Sequence, residues 1–233
     1  MNLYDSIIKK ALTLFKDKEL ISFPLESNFP MEKKKGFIFS NDAKVELGSN
    51  DKSAYFMGYT TNEKLISKDE ILLFGKDLNL LNKESCFAHL SFFLLENEGK
   101  EDQQTYRLLR DLEYSRYNVF PNGYMLRINT NSLKEGARVS KKAIENGISF
   151  KDIGMAFLNS YKKEKSLRYV KQIFVTDPSF DFSSLLELQK EVEAITIAFD
   201  HILKNLKMDC KTCSFKEICD TVEGMKDLHK NKN

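Results

Sequence analysis

Apolar side chains recur at helical spacing near the start of the chain, through Leu3, Ile7, Ile8, Ala11, Leu12, Leu14 and Phe15, which predicts an amphipathic helix. Pro24 and Pro30 punctuate the stretch that follows. Short β-type runs then predict strands over residues 36–39, 43–47 and 54–61, each bounded by Gly, Asn, Asp or Ser, the residues that tolerate turns. Two more apolar runs, 71–74 and 88–95, are of strand or buried-helix type. From Lys100 the period becomes helical, through Tyr106, Leu109 and Leu112, until Pro121, Asn122 and Gly123 break it. Ser132 is placed to cap a helix running to about Asn146, with Gly147 just past its end as a left-handed C-cap. A further helix is predicted over 150–161 and a strand over 169–176, closed by Asp177 and Pro178. A long amphipathic helix follows over 183–206, through Leu186, Val192, Ile195, Phe199 and Leu203.

Strands come mostly first and helices later, with one late strand returning. That order predicts an α+β fold, with helices packed on a mixed or antiparallel sheet. There is no internal repeat and no low-complexity tract. The chain therefore divides into one α+β domain over residues 1–206 and a short cysteine-rich C-terminal tail over 207–233, docked on that domain.

Composition narrows the partners. The formal net charge is +2, with lysines and acids interspersed along the chain. Nucleic-acid and membrane surfaces both call for a concentrated basic face, so neither is expected as the main partner. The run Lys33, Lys34, Lys35 is the one basic cluster of note, and it reads as a solvated turn before a strand. No stretch approaches the roughly 18 apolar residues of a membrane helix, and the N-terminus lacks a signal-peptide core. A cytoplasmic, reducing environment is the expectation, in which clustered thiols serve as metal ligands or redox groups rather than as disulfides.

Three of the four cysteines, Cys210, Cys213 and Cys219, fall within ten residues. Two intervening residues let the first pair aim both sulfurs at one centre without straining the backbone. Cys219 then lies near the start of a short predicted helix ending about His229, and a helix N-terminus helps hold thiolate charge. Three thiolates leave a centre one ligand short, to be completed by His201, His229, Asp209, Asp220, a water or a second chain. The spacing is open to an iron–sulfur cluster, to zinc, or to thiols without metal. Cys86 stands alone and reads as a small buried hydrophobe. His89, inside the 88–95 run, reads as a hydrogen-bonded core histidine.

One block carries a resemblance. Arg138-Val139-Ser140-Lys141-Lys142-Ala143, then Gly147, Phe150, Lys151, Ile153 and Gly154, then Val170-Lys171-Gln172-Ile173-Phe174-Val175-Thr176-Asp177, is similar to the middle domain of the acetyl-CoA synthase subunit of CO dehydrogenase/acetyl-CoA synthase. Lys35-Gly36-Phe37, Tyr55-Phe56-Met57-Gly58-Tyr59 and Gly75-Lys76-Asp77-Leu78 fall in the order expected upstream, so the resemblance runs from about Lys35 to His201. It implies that Cys210, Cys213 and Cys219 are ligands of an iron–sulfur cluster of the 4Fe-4S type, since the family's next domain opens with a Cys-X-X-Cys and a third cysteine. The family's Cys-X-Cys pair for nickel has no counterpart, its fourth cubane cysteine is missing, and its N-terminal partner-binding domain is absent. The chain alone is therefore not expected to make acetyl-CoA; it is expected to act as an accessory or subunit-like protein with a protein partner in one-carbon or redox metabolism. The family also binds coenzyme A through arginines and a tryptophan. There is no Trp among these 233 residues, and of the six arginines Arg116, Arg127 and Arg138 are the candidates, because the planar guanidinium fork suits phosphate. The competing expectation is a non-catalytic ligand- or protein-binding module whose tail is stapled by zinc.

Overall fold

The computed structural model describes residues 3–48, 52–81, 83–96, 102–128 and 135–203. It is an α+β arrangement of five helices and two mixed sheets. Helix α1 (Leu3–Leu14) precedes strands β1 (Ile21–Ser22), β2 (Ala43–Leu47), β3 (Ser53–Thr60), β4 (Glu70–Phe74), β5 (Glu84–Ser85) and β6 (Phe87–Leu95). Helix α2 (Asp102–Arg116), strands β7 (Tyr124–Ile128) and β8 (Glu135–Ser140), helices α3 (Lys141–Glu145) and α4 (Phe150–Tyr161), strand β9 (Leu167–Val175) and helix α5 (Phe182–Leu203) complete it.

The larger sheet runs β1-β4-β9-β6-β3. Its inner strands β6 and β9 are antiparallel, while β3 is parallel to β6 and β4 is parallel to β9. All nine residues of β6 are buried, which explains why its sequence is apolar without alternation: both faces of this inner strand are covered, one of them by α4 through Phe150, Phe157 and Tyr161. The smaller sheet runs β5-β2-β8-β7 and alternates, with Ala43, Val45 and Leu47 turned inward and Lys44 outward.

Helices α1 and α5 pack on β3, and α5 also covers this edge strand: the Gln189 side-chain oxygen accepts the Tyr55 backbone N–H at 3.0 Å. Helix α4 lies on β4 and β9. Its capping box joins Ser149 to Asp152, which also accepts the Ser27 hydroxyl at 2.6 Å. Gly154 lets α4 approach β4, because a Cβ there would sit 2.6 Å from Ile71 Cγ2.

The predicted α+β class is the observed one, and α1, α4, α5 and strands β2, β3, β4, β6 and β9 stand where their patterns place them. Two predictions are corrected. Residues 36–39 form no strand: Ile38 is tucked against Met125, but Phe37 and Phe39 are 81% and 70% exposed. The helix expected up to Asn146 is strand β8 followed by a helix of five residues, capped by Ser140, whose hydroxyl accepts from the Ala143 N–H at 3.1 Å. Gly147 does sit just past that helix with φ +83°, the left-handed conformation its C-cap position requires. Strand β7, after Gly123, has no forerunner in the sequence reading.

Candidate functional site

Helix spacing builds the walls of a groove between α2 and α5. On α5, Gln189, Val192, Glu193, Thr196 and Ile197 follow the three-and-four interval that keeps residues on one face. On α2, Leu109, Arg110 and Glu113 do the same, and Tyr117 continues the wall just past the helix. Tyr55, Phe56 and Met57 of the edge strand form the floor. The groove encloses about 350 Å³. Its charged lining is mainly acidic: Glu113, Glu135 and Glu193 against Arg110, which is ion-paired with Glu113.

Behind the floor lies a buried polar cluster. Arg116, fully buried, makes a bidentate pair with Glu135, and its guanidinium stacks on the Tyr55 ring with the central carbon 3.5 Å from the centroid. Glu135 reaches this position because β8 begins beside β3, where the Ser53 hydroxyl donates to the Glu135 carbonyl. On the far side of Tyr55, the His89 ring stacks on Phe174 with centroids 4.4 Å apart. His89 Nε2 lies 3.2 Å from Gln172 Oε1 and 3.3 Å from Ser91 Oγ. The hydroxyls of Tyr55 and Tyr124 and Nδ1 of His89 have no hydrogen-bond partner among the described residues.

Burial, reinforced by the Arg116 charge, drives the His89 pKa down to about 3, so the ring is neutral at neutral pH and sealed from solvent. Burial raises Tyr161 to about 12 and Tyr55 well above the ordinary phenol range. The two phenols therefore keep their protons, while His89 stays uncharged. What the groove presents to a visitor is an apolar floor with an acidic rim.

Neither protein-family models nor curated proteins match this chain.

The candidate arginines separate into two places. Arg116 belongs to the buried cluster. Arg127 and Arg138 come together on the smaller sheet, where both pair with Glu46: Arg127 Nη1 lies 2.7 Å from Oε2 and Arg138 Nε 3.3 Å from Oε1. Strand register makes this meeting, since Glu46 stands opposite Arg138 and Arg127 lies one strand further on. Arg138 also donates to the Ile38 carbonyl at 3.1 Å and to the Ser40 hydroxyl at 2.8 Å, which pins the segment bearing Phe37 and Phe39.

Cys210, Cys213 and Cys219, with His229, Asp209 and Asp220, lie outside the described residues. Among the described residues no group of three or more His, Cys, Asp or Glu side chains could hold a metal. Cys86 is buried and donates to the Thr176 carbonyl at 3.1 Å, and burial pushes its thiol pKa up. It is a packed core residue, and its burial disfavours the thiolate form that a metal ligand needs. No helix among the described residues is long and apolar enough to cross a membrane.

The sequence reading missed the groove and the Arg116–Glu135 pair. Arg116 carries a trace in the sequence, as an arginine in phase with Leu109 and Leu112 on the buried side of α2. Glu135 carries none, because its partner comes from a different element.

Proposed function

We propose that this chain is an accessory or subunit-like protein of the acetyl-CoA synthase type, acting in one-carbon or redox metabolism with a protein partner. Its C-terminal Cys210, Cys213 and Cys219 bind an iron–sulfur cluster, while the α+β body serves as the scaffold. The observation that carries the reading is the spacing of these three thiols, seven residues beyond the end of α5. Three thiolates suit iron and sulfide, and Cys86 is committed elsewhere, so the fourth position falls to a non-cysteine ligand or to the partner. A cluster of this kind supplies one-electron transfer. With no Cys-X-Cys pair for nickel, the chain is not a synthase by itself. The reading places it in the cytoplasm, with neither nucleic acid nor membrane as its main partner.

Coenzyme A enters the proposal through Arg127 and Arg138 alone. Those two guanidinium groups share the single Glu46 carboxylate and keep a net positive charge for a phosphate, whereas Arg116 is neutralised by Glu135 out of reach of solvent.

The second reading, a ligand- or protein-binding module with a zinc-stapled tail, is favoured by the groove itself, whose volume suits a small ligand. Metal content separates the two. Protein purified without oxygen is expected to carry iron and acid-labile sulfide, both lost in Cys213→Ser. Zinc in the parent chain, or iron unchanged in the variant, contradicts the cluster assignment.

A further inference from the structure

The floor of the α2–α5 groove is the open edge of a sheet. Strand β3 ends the order β1-β4-β9-β6-β3 and pairs with β6 on one side only, among the described residues. Along a strand, successive main-chain groups point to alternate sides. The Lys52 carbonyl accepts the Phe87 N–H of β6 at 3.0 Å, so even-numbered residues face β6, while Tyr55, Met57 and Tyr59 turn their N–H and C=O outward. Tyr55 agrees with this register, since its N–H leaves the sheet for Gln189 Oε1 on α5. The Gln189 amide thus stands where the peptide carbonyl of a further strand would stand. At Met57, the next outward residue, neither the N–H nor the C=O has a hydrogen-bond partner among the described residues, although the residue is only 4% exposed. A main-chain donor and acceptor so placed call for partners.

The groove is closed at one end. Tyr106 of α2 stacks on Phe199 of α5 with ring centroids 4.4 Å apart, and its hydroxyl donates to the Thr196 carbonyl at 3.1 Å and to Asp200 at 2.9 Å. The floor from Tyr55 to Met57 is about 7 Å long at about 3.4 Å per residue, room for two or three residues of extended chain. The charge of the lining is also uneven. Arg110 is spent on Glu113 and Arg116 on Glu135, while Glu193 is exposed and meets only the neutral Gln189 amide, at 2.8 Å, among the described residues. We propose that this groove takes a short extended segment of a partner protein, which adds to β3 as one more strand at Met57 and points a lysine or arginine at Glu193. Its apolar side chains lie on Leu109, Val192 and Ile197.

This inference rests on the groove being a binding site, the ground of the second functional reading, and needs no metal. Two libraries of acetylated, amidated pentapeptides are passed over the immobilised full chain, one with lysine and one with glutamate fixed at the centre and every other position varied. The lysine library is expected to be retained about tenfold better, and Glu193→Gln, checked for an unchanged circular dichroism spectrum, is expected to erase that preference. The best-retained peptide is expected to slow hydrogen exchange of the Met57 amide by about tenfold or more. No retained peptide, equal retention of the two libraries, a preference that survives Glu193→Gln, or an unprotected Met57 amide each overturns the proposal. Titration of n-butylammonium into the same chain separates that failure from failure of the binding-site reading. Groove resonances that move with the amine while no peptide is retained keep a small-ligand site and remove the added strand; resonances that do not move, with no peptide retained, remove both.

Discussion

Arg116 and Glu135 show what a single buried pair can hold together. The guanidinium has left water completely, and Glu135 supplies the opposing charge across the junction of the two sheets. Removing one partner leaves an uncompensated charge in the interior, so Glu135→Ala is expected to lower stability by about 3–5 kcal/mol in denaturant unfolding. The double variant Arg116→Met/Glu135→Leu should recover much of that loss, because no ion is then stranded. His89 gives the cluster a pH signature. Its folded-state pKa of about 3 lies below the ordinary 6.5, so between these values the unfolded chain binds a proton that the native chain refuses. The contribution of His89 is therefore intact above pH 6.5 and declines on acidification toward pH 3, with a limiting slope of about 1.4 kcal/mol per pH unit. Unfolding free energies measured across that window should flatten by up to that slope in His89→Gln.

Among the elements, β8 shows best where sequence reading succeeds and fails. Gly136 sits where β8 crosses β2, and a Cβ there would be driven into the Leu47 carbonyl oxygen. Gly136→Ala is expected to cost about 1–3 kcal/mol by overpacking, measured as a lower denaturant midpoint at unchanged slope. In sequence the same strand reads as helix because Ser132 and Gly147 bracket a stretch of helix-tolerant residues. The alternation of Ala137 and Val139, buried against β2, is too brief to outweigh that bracket. In α1, α4 and α5 the apolar period runs over three turns or more, long enough to be decisive, and those helices were legible. Residues 36–39 failed for the opposite reason: strand propensity was present, but Arg138 and Met125 hold only Ile38, and the flanking phenylalanines find no sheet to join. Of the candidate site, the cysteine spacing and the arginines are visible in sequence. The groove is not, since it exists only where α2 and α5 meet across β3.

At the scale of the whole molecule, a mixed five-stranded sheet and a smaller four-stranded sheet share one apolar core, and the Arg116–Glu135 pair is buried where β3 meets β8. The long α5 lines the groove and then leads into the segment that bears the three thiols. Iron, acid-labile sulfide and zinc, measured on the full chain purified without oxygen, test the central claim most directly. The account predicts about four irons and four sulfides per chain, with the visible absorption of a cubane cluster that disappears in Cys213→Ser. A single zinc, or a metal-free chain, would contradict it and leave the α+β body as a binding module.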